Sequence, residues 1–423
     1  MTHEFEQMLQ LAALGATGHP VCVAGEGVDW TKLIDIARRQ KAEYYLFYAL
    51  KQNKDLLCPD EVRKSAQKEI RALMVSNALH KSAIVQLLND MEAAGIHAVL
   101  LKGYALSDCY VRPECRICGD VDLLIAPEDE EQACEFMRQH GFAVEPRWKN
   151  GHHAVCYHEM LGCVELHVML YDEIVEDVWH VGLGVEHFVE EAHVKLETED
   201  GSYYTLGFTD HFLFVVLHMI KHFLESGLSL QMIFDVGLFF KKHANEIDSI
   251  RFWKTVKALK YEKLVNCVLW VLIQYCGFKT EDFPGVSEEK PEELEDLLLD
   301  MEAGGWMGCE NKNARIEGWN AYNRQLLMNG KSEFQYLLYM IRWKIGLYWN
   351  AAFPSFDKLA EKYPVVRKHK LLLPAVWVYR LFAAGSRAVK KGALTSYIVF
   401  DEEQISDPAK GRVELFRKMD MMK

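Results

Sequence analysis

The sequence predicts an α+β fold in which a core with a mixed β-sheet lies between an N-terminal helical segment and a large C-terminal helical region. Residues 1–94 carry apolar side chains every three or four positions, the spacing of amphipathic helices. Residues 95–206 alternate short apolar runs with helical stretches, in the order β-α-β-α-β-β-β. Residues 207–423 return to helical spacing almost throughout. We therefore expect three segments with these bounds.

The N-terminal segment is predicted to be helical from two periodic stretches. Apolar residues recur with helical spacing over residues 5–14 and again over residues 62–91. Pro59, followed by Asp60 and Glu61, is a suitable start for the second stretch. Proline is tolerated in the first turn of a helix, and acidic side chains are favourable beside the positive end of the helix dipole.

The core segment opens with an apolar run at residues 97–101 that ends in Lys102-Gly103. A compact apolar run before a glycine predicts a strand that enters a turn. Pro113 ends the helix that follows, and Gly141 is suited to cap the next helix. The predicted elements after the first strand are helices at 104–111 and 127–140 and strands at 120–125, 142–145, 153–158, 163–170 and 203–206.

The C-terminal region is predicted to be helical because apolar residues keep the helical period after residue 207. Thr209 and Asp210 are suited to start its first helix, since small polar and acidic residues favour a helix N-terminus. The predicted helices cover residues 209–224, 231–243, 252–259, 264–275, 292–301, 332–349 and 372–391.

The composition indicates a globular chain of two or three domains. Its 423 residues are 50% hydrophobic and 26% charged. The net charge of −13 argues against bulk, sequence-independent binding of nucleic acid, which needs a basic face. The eleven cysteines are scattered and the chain starts with polar and acidic residues, so we expect free thiols in a reducing cytoplasm. We expect no membrane span, since even the apolar stretch at 371–385 contains Pro374 and Arg380.

Two strands with acidic residues on one face carry the most chemical information. Side chains of a strand alternate between its faces, so Asp120 and Asp122 point the same way. Glu165 and His167 share a face of the later strand by the same rule. If the two strands are neighbours, three carboxylates meet at one patch and repel one another. A hard divalent cation such as Mg²⁺ relieves that repulsion, because it takes oxygen ligands.

Several motifs follow one another in a fixed order along the chain. They are Leu101-Lys102-Gly103, Tyr110-x-x-Pro113-x-x-Arg116, Gly119-Asp120-x-Asp122-Leu123-Leu124, Glu165-Leu166-His167, His218-Met219-Ile220-Lys221-His222 with Asp235, Phe353-Pro354-Ser355, Tyr363-Pro364 and Leu371-Leu372-Leu373-Pro374. This order resembles the uncharacterised bacterial nucleotidyltransferase family within the DNA polymerase β-like superfamily. The resemblance covers roughly residues 30–380. It implies a small nucleotidyltransferase α/β core beside a helical domain.

The resemblance implies a magnesium-dependent transfer of a nucleotidyl group. In that reaction a substrate hydroxyl attacks the α-phosphate of a nucleoside triphosphate and pyrophosphate leaves, while two metal ions clamp the attacking and leaving oxygens. Asp120 and Asp122 would bind Mg²⁺ and, through it, the triphosphate. Glu165 would complete the second metal site and help to deprotonate the hydroxyl.

Four further residues are predicted to bind the nucleotide. Gly103 lies where a strand gives way to a helix, and there backbone N–H groups can hold phosphate oxygens that glycine allows to come close. Lys102 would supply a point charge and Arg116 a bidentate fork, with a salt bridge to the acidic cluster as the alternative for both. Gly119 directly precedes the aspartates and completes the set. Enzymes of the superfamily usually carry Gly-Ser or Gly-Gly at the first turn, whereas this chain carries Gly103-Tyr104. A hydroxyl that binds the phosphate would therefore come from Ser107 or be absent.

Other polar residues are predicted to contact substrate or to support the carboxylates. His167 would orient a carboxylate or touch the substrate, and a hydrogen-bonded structural histidine is the alternative. Lys221 or His222 would face the cleft from the helical domain. Asp235 would pair with one of them or serve the acceptor hydroxyl, and a buried polar contact between helices is the alternative. For His153, on a predicted strand, a structural role is favoured.

The sequence therefore predicts a cytoplasmic nucleotidyltransferase that uses Mg²⁺ and a nucleoside triphosphate. The acceptor stays open among a small hydroxylated molecule, a protein side chain and a tRNA end, although the acidic charge argues against nucleic acid. Three alternatives remain: a catalytically silent nucleotide-binding or regulatory protein of the same fold, a phosphohydrolase that uses the same carboxylates, and a toxin that modifies a cellular target. The base preference and the oligomeric state also stay open.

Overall fold

The structure of the chain is a computed structural model. It describes residues 1–19, 27–147, 152–170, 191–304 and 407–422, together with residues 374, 376 and 377. The chain divides into two compact units, and the first holds every element named below. The second unit, residues 320–406, is described only at those three single positions. The predicted helix at 332–349, most of the one at 372–391 and the motifs at 353–355, 363–364 and 371–373 lie outside the described residues.

Seven strands form one mixed sheet. They are β1 (Val99–Leu100), β2 (Val121–Leu124), β3 (Ala143–Glu145), β4 (His153–His158), β5 (Gly162–His167), β6 (Val194–Thr198) and β7 (Gly201–Thr205). Their order across the sheet is β3-β4-β5-β2-β1-β7-β6. The pairs β2–β5 and β1–β7 are parallel and the other neighbouring pairs are antiparallel. The prediction of an α+β fold with a mixed sheet is thus confirmed.

Helices precede, interrupt and follow the sheet. Those with described bounds are α1 (His3–Thr17), α2 (Trp30–Arg39), α3 (Glu43–Gln52), α4 (Asp60–Ala93), α5 (Tyr104–Ser107), α6 (Glu130–Gln139), α7 (Phe208–Glu225), α8 (Leu230–Lys242), α9 (Ser249–Ala258), α10 (Glu262–Tyr275), α11 (Leu294–Gly304) and α12 (Asp407–Lys418). The helices α7 to α11 begin within three residues of their predicted starts. None of the described helices is long and apolar enough to cross a membrane.

One face of the sheet is buried against α4 and α6. Val121 and Leu123 of β2, and Val164 and Leu166 of β5, are at most 1% exposed and belong to one apolar cluster with residues of those two helices. Alternate residues of a strand face opposite sides, so the residues between these four are directed to the other face. That other face carries the polar side chains of the two motifs.

The N-terminal and C-terminal helices approach the same end of the sheet. Tyr45 of α3 stacks on Tyr110, with ring centroids 5.2 Å apart, and meets Phe234 of α8 edge-on at 5.7 Å. His211 of α7 donates from Nε2 to the carbonyl of Leu101 at 2.7 Å. Burial lowers the pKa of His211 to about 4, so the ring is neutral near pH 7. These contacts hold the helices against the residues that follow β1.

The sequence does not predict β6 or α12. No residue of β6 is fully buried, because the strand lies at the edge of the sheet, and only Val194 and Leu196 are apolar. In α12, Arg412 donates to Asp300 of α11 at 2.7 Å, and Phe416 packs edge-on against Phe223 of α7. A contact with a segment that is distant in sequence holds α12 and leaves no local signal, whereas β6 forms a hairpin with β7, which follows it directly.

Candidate functional site

A cleft of about 400 Å³ lies between the polar face of the sheet and the helices α7 and α8. The turn between β1 and α5, the strands β2 and β5, and the turn before α3 also contribute to its wall. The eleven site residues predicted from the sequence all line this cleft: Lys102, Gly103, Arg116, Gly119, Asp120, Asp122, Glu165, His167, Lys221, His222 and Asp235. The structure brings these residues together, and the role of each stays a prediction.

The register of the two central strands sets Asp122 beside Glu165. β2 and β5 are parallel neighbours, and these two residues are direct partners in the pairing. Their side chains therefore lie on the same face of the sheet. Asp120 lies just before β2 with 50% of its side chain exposed, whereas the side chain of Asp122 is only 2% exposed. The buried carboxylate thus has a more exposed carboxylate on either side.

Lys102 and His167 compensate the charge of Asp122. Lys102 Nζ lies 2.8 Å from Asp122 Oδ1 and 3.8 Å from Asp120 Oδ2. His167 Nε2 lies 3.1 Å from the same Asp122 oxygen and 3.2 Å from Glu165 Oε2. Burial alone would raise the pKa of Asp122, but the charge of Lys102 and the hydrogen bond from His167 outweigh it and lower that pKa. Burial alone would lower the pKa values of Lys102 and His167, and the acidic neighbours raise both.

The residues around Asp122 fit a divalent cation. Asp122 Oδ2 is buried and has no hydrogen-bond partner among the described residues. Such an oxygen is unfavourable unless a donor or a cation meets it. Asp122, Glu165 and His167 each offer one ligand atom, and these three atoms lie within 4.8 Å of one another. Carboxylate oxygens suit Mg²⁺, and a neighbouring imidazole also suits metals such as Mn²⁺ or Zn²⁺.

Gly103 forms the turn between β1 and α5. Its φ of 66° favours glycine, although a Cβ would have room, since its nearest neighbour would be the carbonyl of Asp120 at 3.8 Å. The helix that follows is a single turn of four residues. Ser107, the expected source of a hydroxyl for phosphate, is buried and donates to the carbonyl of Tyr104 at 2.9 Å. That hydroxyl is therefore used within α5.

Arg116 forms a buried, bidentate ion pair with Asp235 of α8. Its Nε donates to Oδ1 at 2.7 Å and its Nη2 to Oδ2 at 2.8 Å, and Tyr110 donates to Oδ1 at 2.6 Å. Burial alone would lower the pKa of Arg116, but Asp235 outweighs it and raises that pKa well above its usual value. Asp235 thus pairs with Arg116 where the sequence suggested Lys221 or His222. The ion pair ties the loop before β2 to the C-terminal region.

α7 places two histidines and one lysine on the wall opposite the carboxylates. The rings of His218 and His222 meet edge-on, with centroids 4.5 Å apart. Burial lowers the pKa of His222 to about 3, and the charges of Lys102 and Lys221 act in the same direction. Burial also lowers the pKa of His218. Both rings are therefore neutral near pH 7, where they can exchange hydrogen bonds with a polar substrate.

Three further residues line the cleft although the sequence did not single them out as site residues: Lys41, His152 and His153. Lys41 lies in the turn between α2 and α3 with a φ of 51°, which side-chain-bearing residues rarely adopt. Burial lowers its pKa, and the charge of Asp120 opposes that shift. A lysine within a helical segment gives no signal of this placement. The histidine doublet is visible in the sequence, but its strand position alone favours a structural role.

The family model described as an uncharacterised nucleotidyltransferase matches residues 26–277, which is more than half of the chain. The matched segment contains the whole sheet, the helices α2 to α10 and all the cleft residues named above. No curated protein and no solved structure matches the chain significantly. The resemblance that the ordered motifs suggested is confirmed by this match. The chain belongs to the uncharacterised nucleotidyltransferase family.

Proposed function

We propose that the protein transfers a nucleoside monophosphate group from a nucleoside triphosphate to an acceptor hydroxyl and releases pyrophosphate. The family supports nucleotidyl transfer in general. The observation that carries the proposal is the buried Asp122 at the cleft wall, whose Oδ2 has no hydrogen-bond partner among the described residues. A divalent cation, which we propose to be Mg²⁺, would supply positive charge between the carboxylates and the triphosphate.

The three carboxylates would hold the metal. Asp120 and Asp122 are separated by one residue, and Glu165 joins them from the neighbouring strand. Burial would raise the pKa of Glu165, but the hydrogen bond with His167 and the charges of His153 and His167 together lower that pKa. A carboxylate with a lowered pKa is a weaker base. Glu165 is therefore better suited to bind the metal than to deprotonate the acceptor hydroxyl. His167 would orient Asp122 and Glu165 through its Nε2.

The positive side chains of the cleft suit the triphosphate. Lys41, Lys102 and Lys221 bring amines to a cleft of an otherwise acidic chain. In our proposal Lys102 turns from Asp122 to a phosphate oxygen once the metal is bound, because an ammonium and a metal ion repel each other at one buried carboxylate. Arg116 is already engaged by Asp235, which compensates its charge, so it would hold the loop in place.

The acceptor would occupy the side of the cleft formed by α7 and α8. The wall there is apolar at Phe214, Val215, Met219 and Met232 and polar at His218, Lys221, His222, Ser229, Gln231 and Asp235. Concave sites that combine apolar side chains with fixed polar groups are typical of sites for small molecules. Nucleic-acid binding would instead need a basic surface for the phosphates. We therefore propose a small hydroxylated molecule with an apolar face as the acceptor class.

Incubation with an α-labelled nucleoside triphosphate, Mg²⁺ and a panel of hydroxylated molecules tests the proposal. We expect labelled nucleotide on one acceptor, with an equal amount of pyrophosphate released. Asp122→Asn should lower the rate at least about a hundredfold, equivalent to about 2.7 kcal/mol of transition-state stabilisation. Asp55→Asn, which changes an exposed carboxylate after α3, should leave the rate unchanged. Full transfer by Asp122→Asn would contradict the proposal.

A catalytically silent nucleotide-binding protein is the second candidate, and Lys102 is the observation that favours it. Its ammonium lies within ion-pair distance of both Asp120 and Asp122, so a lysine can take the place of a metal ion there. Such a protein would bind nucleotide equally well in Mg²⁺ and in EDTA. It would also release no pyrophosphate with any acceptor.

A further inference from the structure

Three histidines gather at one end of the cleft. His153 of β4 and His167 of β5 are direct partners in the antiparallel pairing, and His152 immediately precedes β4. Their ring centroids lie 4.3 to 5.1 Å apart, and each ring offers one nitrogen within 4.8 Å of the other two. His152 is 9% exposed and His167 is 4% exposed. Two of the three rings are thus shielded from water by the fold, and the side chain of His153 is 26% exposed.

Glu165 orients two of these rings. His167 Nε2 lies 3.2 Å from Glu165 Oε2, and His153 Nε2 lies 3.7 Å from Glu165 Oε1. Both rings therefore present Nε2 to one carboxylate and leave Nδ1 on the far side of the ring. A histidine that binds a metal usually donates its other ring N–H to a carboxylate, which fixes the tautomer and increases the basicity of the ligand nitrogen. The contact of His167 has hydrogen-bond length, whereas that of His153 has the length of an ion pair.

Two ring nitrogens of this cluster have a separation that suits metal ligands. His153 Nδ1 lies 3.0 Å from His152 Nε2. Two nitrogens bound to one tetrahedral metal at about 2.0 Å lie about 3.3 Å apart, so this separation needs little adjustment. His167 Nδ1 is buried and has no hydrogen-bond partner among the described residues. Whether that nitrogen carries a lone pair or a proton, its burial without a partner is unfavourable, and a metal ion would satisfy the lone pair.

We propose that His152, His153 and His167 bind a transition-metal ion through three imidazole nitrogens. Imidazole ligands suit Zn²⁺, Co²⁺ and related ions, whereas Mg²⁺ takes oxygen ligands. Three protein ligands leave a fourth position of a tetrahedral ion for water or a substrate oxygen. This site shares His167 with the carboxylate cluster of Asp122 and Glu165 but would use the other ring nitrogen, Nδ1, and it does not depend on nucleotidyl transfer.

The two sites would communicate through Glu165. Its two carboxylate oxygens face His153 and His167 separately. A metal on the far side of these rings would hold both imidazoles, and hence Glu165, in one orientation. Loss of the metal would leave the carboxylate site intact but less rigid on the β5 side.

Titration of the metal-free full-length protein with Co²⁺ tests the proposal, because nitrogen-bound Co²⁺ absorbs visible light. We expect one Co²⁺ per chain, displaced by Zn²⁺ and retained in excess Mg²⁺. His152→Ala and His153→Ala should each weaken binding at least about tenfold, the lower range for loss of groups that support a metal site. His3→Ala, which removes an exposed histidine on α1, should bind as the wild type does.

The controls separate this site from the carboxylate site. Asp120→Asn should retain Co²⁺ binding. Circular dichroism identifies any variant that fails to fold, and His153→Gln then replaces His153→Ala because it keeps a polar side chain. Equal Co²⁺ affinity of wild type and the folded His152 and His153 variants would overturn the proposal. So would a wild type that binds no Co²⁺. Both results concern the metal alone, so a failure of the transfer reaction would leave them unaffected.

Discussion

At the scale of single residues, the chemistry of the cleft depends on which groups compensate the negative charge of one buried carboxylate. Asp122 is 2% exposed and is held ionised by Lys102 and His167. Removing one partner of a buried ion pair is more destabilising than the pair is stabilising, because the remaining charge is left in a poor solvent. The ammonium of Lys102 and a divalent ion are alternative partners for the same oxygens, so the two should compete.

Lys102→Met should reveal this competition. Without metal, we expect the free energy of unfolding to fall by about 3 kcal/mol, because the charge of Asp122 loses its nearest partner. Mg²⁺ should then restore more stability to the variant than it adds to the wild type. Denaturant unfolding with and without Mg²⁺ measures both effects, and Lys54→Met, an exposed lysine, serves as the matched control. The same response to Mg²⁺ in variant and wild type would show that Lys102 and the metal do not share a position.

Lys41→Met should weaken the binding of phosphate-rich ligands. The amine of Lys41 lines the cleft from the turn before α3. A charged hydrogen bond to phosphate contributes about 1.5–3 kcal/mol, so we expect the dissociation constants of nucleoside triphosphate and of tripolyphosphate to rise at least about tenfold. Calorimetry on the variant and on Lys54→Met measures this change. Unchanged affinity for tripolyphosphate would place Lys41 outside the phosphate site.

At the scale of elements, the carboxylates depend on the parallel pairing of β2 and β5 and on the turn after β1. The pairing sets Asp122 opposite Glu165, and the turn brings Lys102 to the same face. Both strands could be predicted from the sequence, because one buried face imposes alternation on each. That they are neighbours could only be assumed, since no local pattern identifies the partner of a strand.

Gly103→Ala tests the turn. Its φ of 66° disfavours any residue with a Cβ, although the added atom would meet no closer neighbour than the carbonyl of Asp120 at 3.8 Å. We expect the free energy of unfolding to fall by about 1–2 kcal/mol. Gly119→Ala, where φ is ordinary and a Cβ meets nothing within 4 Å, should change it by less than about 0.5 kcal/mol. Denaturant unfolding of the two variants makes the comparison, and equal stabilities would contradict the assigned turn geometry.

At the scale of the whole molecule, segments far apart in sequence complete the cleft. Arg116 and Asp235 are separated by 119 residues yet form a bidentate ion pair, and Lys41 reaches the cleft from the N-terminal helices. The ordered motifs were sufficient to predict eleven lining residues, because most of these motifs lie at the end of a strand or on a helix face. Lys41 and the Arg116–Asp235 pair could not be predicted, since both result from how the helices pack.

Packing of the N-terminal helices should also make stability depend on pH through Glu43. Burial raises the pKa of this α3 carboxyl from 4.5 to about 7. The folded state thus favours the protonated form of Glu43. Its contribution to the free energy of unfolding is therefore fully present below pH 4.5 and is lost as the pH rises through 7. The free energy of unfolding falls by at most about 3 kcal/mol over this range, and Glu43→Gln should remove this pH dependence. Unfolding from pH 5 to 8 measures the difference, and parallel curves for variant and wild type would contradict the assignment.

The decisive measurement is thermal unfolding with each nucleoside triphosphate, with and without Mg²⁺, for the wild type and for Asp122→Asn. A ligand at about 100 times its dissociation constant adds about 2.7 kcal/mol of stability. We expect a Mg²⁺-dependent stabilisation of the wild type by at least one nucleotide, and its loss in Asp122→Asn. A folded wild type that no nucleotide stabilises, or an equal stabilisation of both proteins, would contradict a metal–nucleotide site at Asp122.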